Sequence, residues 1–513
     1  MDERIREADV VSAATGPDAV VPALSAGAGI LRPDGERTLV ERIVVHYAGR
    51  IDERLMRPGA RMPSIRRFAA EHRVSRFTVV EAYDRLIARG YIEARPGSGF
   101  YVKPRDVHSQ VAQAHAWAEA SNSQIDVVWL LRNMFRQLPS CDMPGSGVLP
   151  NGWLDGELVA GSLRSLGRQN WSALMGYGQA QGYLPLRQQL QLKLEQLEIA
   201  ATPEQLVTTN GVTQALDLVA RHCLRPGDTV LVEDPGWFLM FGRFALLGAR
   251  VVGVPRQADG PDLARLAELA AEHRPKLFVM GSVLHNPTGG SLSAAKAYGV
   301  LQLAERHDFR VVEDDVYCDL HPGAAVQACT RVAALDQLDR VIYLGGFSKT
   351  LAATLRVGFI ACEPGLAREL TDLKMLVGLT SPEIGERVVY RVLSEGHYRR
   401  HVDRLRQRLA LAHQRAAAAL EPFGFPRARQ PGHGMFQWVD TGVDSIALAQ
   451  AMLDRGFLMA PGSLFSPTQV PGTRMRFNVA TLDNPRMLEA LGDALSATAA
   501  RPRPLPAGPA AGA

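Results

Sequence analysis

The chain has 513 residues, 46% apolar and 21% charged, with a formal net charge of +4. That is too long for one ordinary domain and too apolar for a disordered or fibrous chain, so two or three globular domains are expected. The five cysteines, Cys141, Cys223, Cys318, Cys329 and Cys362, form no CxxC pair. That argues against a zinc site or a disulfide framework and suits a reducing cytoplasm, and no signal peptide or long apolar run points to a membrane.

Residues 1–36 are rich in Ala, Gly and Pro without a clear period and read as a disordered leader. Residues 37–104 read as one compact unit. Thr38 to Ala48 is a predicted helix with Leu39, Ile43 and Tyr47 on one face, and Arg57-Pro58-Gly59 is a turn. Ser64 is a natural N-cap for a second helix that ends at His72–Val74. Ser75 caps a third, with Val79, Tyr83, Leu86 and Ile87 facing inward and Gly90 ending it. Tyr91–Ala94 and Phe100–Val102 flank a turn at Arg95–Gly99, a two-stranded hairpin. Three helices and a hairpin make a winged helix-turn-helix, mainly α with a β wing.

Charge supports a polyanionic partner for this unit. Between Arg37 and Arg105 stand 15 Lys and Arg against 7 Asp and Glu, a local +8, leaving −4 for the remainder. Small polar and basic residues belong on the first turn of a recognition helix, where base edges and phosphates are in reach; Ser75, Arg76 and Thr78 occupy it. Ser64, Arg66 and Arg67 begin the preceding helix and suit phosphate contacts, and Arg95 sits at the wing tip. The partner implied is double-stranded operator DNA. The segment closely resembles the DNA-binding domain of GntR-type regulators through Pro58-Gly59, Pro63-Ser64, Arg66, Ser75-Arg76, Thr78-Val79, Ala82-Tyr83, Leu86, Gly90-Tyr91 and Arg95–Gly99. It departs at Phe77, where that family usually has a small polar residue. Phe77 either contacts a thymine methyl or packs on the neighbouring helix.

Residues 105–125 are polar and read as a linker. A second region, 126–498, alternates apolar runs with amphipathic helices. The runs are 229–232, 250–254, 276–280, 310–312 and 340–344, with helices at 261–273 and 294–307. That alternation predicts an α/β large subdomain over about 170–375 around a mostly parallel sheet. A smaller α+β subdomain follows over about 376–498, with strand-like 434–439 and 474–479. Residues 499–513 are Pro- and Ala-biased and read as a disordered tail.

Five motifs in the large subdomain carry chemistry. Gly211, Val212 and Thr213 lie where a loop becomes a helix, a place suited to a phosphate. Trp237 follows a strand; it either stacks on an aromatic ligand or fills the core. Asn286, in His285-Asn-Pro-Thr-Gly289, is placed to donate to a phenolate-like oxygen. Asp314 ends a strand on the ligand side of an open α/β sheet and suits a pyridine nitrogen, with Tyr317 one turn on. Ser348-Lys349 follows the last strand, with Arg356 seven residues later: an amine for a Schiff base and a guanidinium for a phosphate.

In this order the motifs resemble fold-type I, aspartate-aminotransferase-like enzymes that bind pyridoxal 5'-phosphate (PLP). The resemblance implies that Lys349 holds the coenzyme. It also implies that Tyr177, in Tyr177-Gly178…Gly182-Tyr-Leu-Pro-Leu-Arg187, serves the substrate side. Arg474 matches the arginine that grips an α-carboxylate and is the residue assigned to that task; a surface ion pair is the alternative for it, and Arg476 stands beside it. Two departures are Gly346, where a Ser or Thr is common, and Trp237, where Tyr is common. A GntR-type head on such a body resembles the MocR subfamily of regulators. That resemblance implies a head-to-tail homodimer and an effector (an amino acid, an amine or PLP itself) sensed at the Lys349 aldimine. A catalytically active aminotransferase with an appended DNA-binding domain is the alternative. A third is a sensor of PLP alone.

Overall fold

The computed structural model describes residues 38–52, 56, 58–103, 142–168, 175–323, 328–425 and 432–499. The expected leader, the expected linker and all but the first residue of the expected tail lie outside these. Two compact units emerge, one ending at Asn122 and the other beginning at Ser123.

The first unit contains α1 (Leu39–Asp52), α2 (Ile65–His72), α3 (Arg76–Ala88) and an antiparallel hairpin of β1 (Ile92–Arg95) and β2 (Gly99–Val102). The two expected caps are present. Ser64 Oγ accepts from the Arg67 amide at 3.3 Å, and Ser75 Oγ from the Thr78 amide at 3.0 Å. The α1 helix runs four residues past the expected end. Ile43, Val44, Tyr47, Phe68, Val79, Ala82, Tyr83 and Leu86 form the core with Ile92 and Val102 of the wing. Tyr83 reaches through it to donate to the Pro63 carbonyl at 3.0 Å, fixing the turn before α2.

The second unit is built on an eight-stranded sheet of β3 (Leu206–Thr209), β4 (Thr229–Asp234), β5 (Arg250–Gln257), β6 (Gly260–Pro261), β7 (Leu277–Met280), β8 (Arg310–Asp314), β9 (Val341–Gly346) and β10 (Gly358–Ala361). The order is β3-β10-β9-β8-β7-β4-β5-β6. Strands β5, β4, β7, β8 and β9 run parallel, whereas β10 is antiparallel to both β9 and β3. Successive strand residues point to opposite faces, so Val230 and Val232 enter one apolar cluster and Leu231 the other; Ile342 and Leu344 divide from Val341 and Tyr343 in the same way. Helices therefore cover both faces, as a buried parallel sheet requires.

Strands β3 and β10 were not expected. Each has four residues, too few to show a period, and both are wholly buried. The smaller subdomain carries a three-stranded antiparallel sheet, β11 (Phe436–Asp440), β13 (Arg474–Asn478) and β12 (Ala460–Pro461), with β13 central. Among the described residues no helix is long and apolar enough to cross a membrane, and no group of His, Cys, Asp or Glu could hold a metal.

Candidate coenzyme pocket and DNA-facing surface

A cavity of about 780 Å³ opens at the carboxyl ends of β4, β7, β8 and β9. That is where an open α/β sheet places its ligands, because the loops after neighbouring parallel strands converge there. Val212, Thr213, Trp237, Asn286, Asp314, Tyr317, Ser348, Lys349 and Arg356 all line it. Of the expected coenzyme residues only Gly211 stands behind the wall.

Gly211 is there for its missing side chain. It begins the helix Val212–Cys223 at φ +79°, and a Cβ would come within 2.6 Å of Arg356 Nη2. Gly358 plays the matching part on β10: its Cβ would come within 2.7 Å of the Gly211 carbonyl carbon. Arg356 thus lies across the helix N-terminus and donates to the Asn210 carbonyl at 2.8 Å. A guanidinium, a hydroxyl from Ser348 and free helix amides make a cup for a phosphate.

Asp314 ends β8, and its carboxylate accepts from the Val316 amide at 3.3 Å. Burial pushes its pKa up to about 6. Lys349 follows β9 and donates from Nζ to the Gly147 carbonyl at 2.8 Å. Burial, then the Arg476 charge, lower the lysine to about 8; Asp314 opposes and Arg356 assists. The amine is therefore poised to react near neutrality, unlike an ordinary lysine. Tyr317 is buried against the Phe436 ring, with centroids 5.6 Å apart, and burial raises its phenol well above the usual range. Trp237 is half-buried, packing on the core while lining the cavity.

Two expected substrate-side residues are elsewhere. Arg474 is exposed at the start of β13, 3.9 Å from Asp440, and does not line the cavity. Arg476 does line it, 1% exposed. The β pleat puts both arginines on one face of the strand, so spacing cannot choose between them; the end of β13 nearer the cavity does. Tyr177 is 85% exposed and outside the cavity of its own chain.

The residues not foreseen are informative. Arg476 donates to Asn286 Oδ1 at 2.8 Å and to the Gly145 carbonyl at 2.6 Å, between the rings of Phe436 and Phe465. Among the described residues its buried Nε has no hydrogen-bond partner and no carboxylate pairs with it, and burial lowers the guanidinium to about 10. Gly147 and Val148 arrive from a stretch without any motif. In the wall itself, Glu233 pairs with Arg256, accepts from the Gly281 amide at 2.8 Å and stands 3.3 Å from His285 Nε2. Burial and Arg256 lower His285 to about 4 against the pull of Glu233, so its imidazole stays neutral.

In the first unit, Ser64, Arg66, Arg67, Ser75, Arg76 and Arg95 are all exposed. Arg67 pairs with Glu71 at 2.7 Å, and Arg95 pairs with Glu93 while stacking on Tyr101. Thr78 is half-buried, its hydroxyl 2.8 Å from that of Ser75.

The family model for aminotransferase class I and II matches residues 163–493, and that for bacterial regulatory proteins of the gntR family matches 39–102. An uncharacterized HTH-type transcriptional regulator of Bacillus subtilis, YdfD, is 27% identical over 83% of this chain and 89% of its own. The probable rhizopine catabolism regulatory protein MocR of Rhizobium meliloti is 30% identical over 71% and 73%. Among solved structures, the alpha-aminoadipate aminotransferase LysN of Thermus thermophilus, complexed with a phosphopyridoxyl-leucine, superposes with a TM-score of 0.66 at 28% identity, covering 75% of this chain and 99% of that one. The cofactor is pyridoxal 5'-phosphate, and the phosphate cup and the lowered Lys349 amine fit it. The chain belongs to the class I and II aminotransferase family and, with its GntR-type head, to the MocR subfamily of PLP-dependent transcription regulators.

Proposed function

We propose that this regulator senses an amino compound with a carboxylate in the Lys349 cavity, and that occupancy changes how its winged helix holds operator DNA. The observation that carries this is Arg476: a buried guanidinium at the cavity wall with, among the described residues, an unpartnered Nε and no carboxylate of its own. A buried cation left incomplete is costly, and a ligand carboxylate supplies what it lacks.

PLP, when bound, supplies a reactive aldehyde and an electron-withdrawing ring. The chain's own residues take the supporting roles. The 211–213 helix start, Ser348 and Arg356 hold the phosphate. Asp314 keeps a proton on the ring nitrogen, Asn286 and Tyr317 orient the ring hydroxyl, and Lys349 provides the amine. An effector shifts the DNA-binding equilibrium only through different affinity for two states, with a coupling of about 1–3 kcal/mol typical. A head-to-tail homodimer in the cytoplasm would present two heads to two half-sites.

The complete residue set also supports a second reading, an active aminotransferase carrying a DNA-binding domain. Incubation with a panel of amino acids and 2-oxoglutarate separates the two. Spectral shifts without turnover support the sensor, and turnover on the order of 1 s⁻¹ supports the enzyme. A response of DNA affinity to PLP alone, with nothing added by amino acids, identifies the coenzyme as the effector instead.

A further inference from the structure

Phe77 is a large apolar side chain that its own domain does not use. It occupies the second position of α3 and is 77% exposed. The inward face of that helix is already filled by Val79, Ala82, Tyr83 and Leu86, so Phe77 does not pack as a core residue. At 100° per residue, Phe77, Val80 and Asp84 share one outward stripe; Val80 is 37% exposed.

The first turn offers few other reading groups. Ser75 Oγ is committed to the Thr78 amide, and the two hydroxyls lie 2.8 Å apart. Arg76 and Phe77 are what remains exposed at the tip. Arg66, Arg67 and Arg95 of the same unit are also exposed, Arg67 paired with Glu71 and Arg95 with Glu93. An exposed ring on the first turn of this helix, in a unit of net positive charge, suits a polyanion with an apolar spot in its groove. In the major groove of duplex DNA the apolar feature of a base edge is the 5-methyl group of thymine.

We propose that Phe77 is a sequence-reading residue, packing its ring against the 5-methyl of a thymine in each half-site. This rests on the winged helix entering duplex DNA, so the experiment must fail differently for the two claims. The full-length protein with PLP selects duplexes from a random pool. Each thymine of the selected half-site is then replaced singly by deoxyuridine, which keeps the O4 acceptor and removes only the methyl. Loss of one buried methyl predicts a drop in affinity of about fourfold at one position. Phe77→Ala, with unchanged thermal unfolding, is expected to bind the thymine duplex about fourfold more weakly or worse and to stop distinguishing thymine from uracil there. A 5-methylcytosine placed at that position should recover part of the wild-type preference over cytosine, since it carries the same methyl.

Equal wild-type binding to thymine and uracil at every position would overturn the proposal, as would a Phe77→Ala protein that still discriminates. A Phe77→Ala change in sedimentation with thymine discrimination intact would reassign the side chain to contact between copies. Failure to select any duplex would overturn the DNA-binding reading, and this proposal with it.

Discussion

Arg476 Nη1 donates to Asn286 Oδ1 across 2.8 Å, joining the central strand of the small subdomain to the loop after β7 of the large one. The residue proposed for the effector's carboxylate and the one proposed for the coenzyme's ring hydroxyl are thus already tied together. Movement of one subdomain against the other must stretch or break this bond.

Arg476→Ala should lose the carboxylate partner while keeping PLP. The expected cost is on the order of 3 kcal/mol, about a hundredfold in amino-acid affinity, read from the coenzyme's absorbance during titration. Arg476→Lys should recover little, because an ammonium lacks the fork. Arg474→Ala, exposed beside Asp440, should titrate like the wild type.

Coenzyme uptake by the apoprotein should follow two ionisations. Lys349 is lowered to about 8 by burial and by Arg476, so its neutral amine grows about tenfold per pH unit below that value and levels off above it. Asp314 is raised to about 6, so its carboxylate is present above that value and lost below it. Stopped-flow uptake rates should therefore fall steeply below pH 6 and flatten above 8. A rise continuing toward the ordinary lysine value of 10.5 would contradict the assignment.

Gly358→Ala should damage the phosphate cup. The added Cβ would lie 2.7 Å from Gly211, and two backbones cannot both give way cheaply. Overpacking of this kind costs about 1–3 kcal/mol of stability. Thermal unfolding should show it, together with weaker PLP binding in equilibrium dialysis.

Asp319→Ala should destabilise the body more than any surface charge change. Asp319 pairs with Lys193 and accepts from Tyr398 at 2.6 Å; Tyr398 in turn meets Thr350, next to Lys349, at 2.6 Å. Removing the carboxylate strands a buried ammonium, at a cost of about 3–5 kcal/mol in a denaturant titration. Burial works against this carboxylate, but Lys193 wins and holds it below the ordinary value of 3.8. Its contribution is therefore full above pH 3.8 and lost as pH falls through the lower folded value.

Local rules made much of this legible. Ser64 and Ser75 cap helices through contacts three residues away, so sequence suffices to find them. Asn286, Asp314 and Lys349 are legible because each lies at or beyond the carboxyl end of a strand, and parallel strand ends converge. What escaped depends on long-range placement. Gly145 and Arg476 meet from 331 positions apart, and nothing near either residue announces the other. Arg474 and Arg476 have identical local credentials. Strands β3 and β10 are too short for any period to show.

The most direct test measures the affinity of the full-length protein for its selected duplex by fluorescence anisotropy, with and without PLP and an amino-acid panel, beside Lys349→Ala. Wild-type affinity should change at least about fivefold with occupancy of the cavity, and Lys349→Ala should not respond. Identical wild-type curves under every condition, or a Lys349→Ala protein that responds as the wild type does, would contradict a switch built on that lysine.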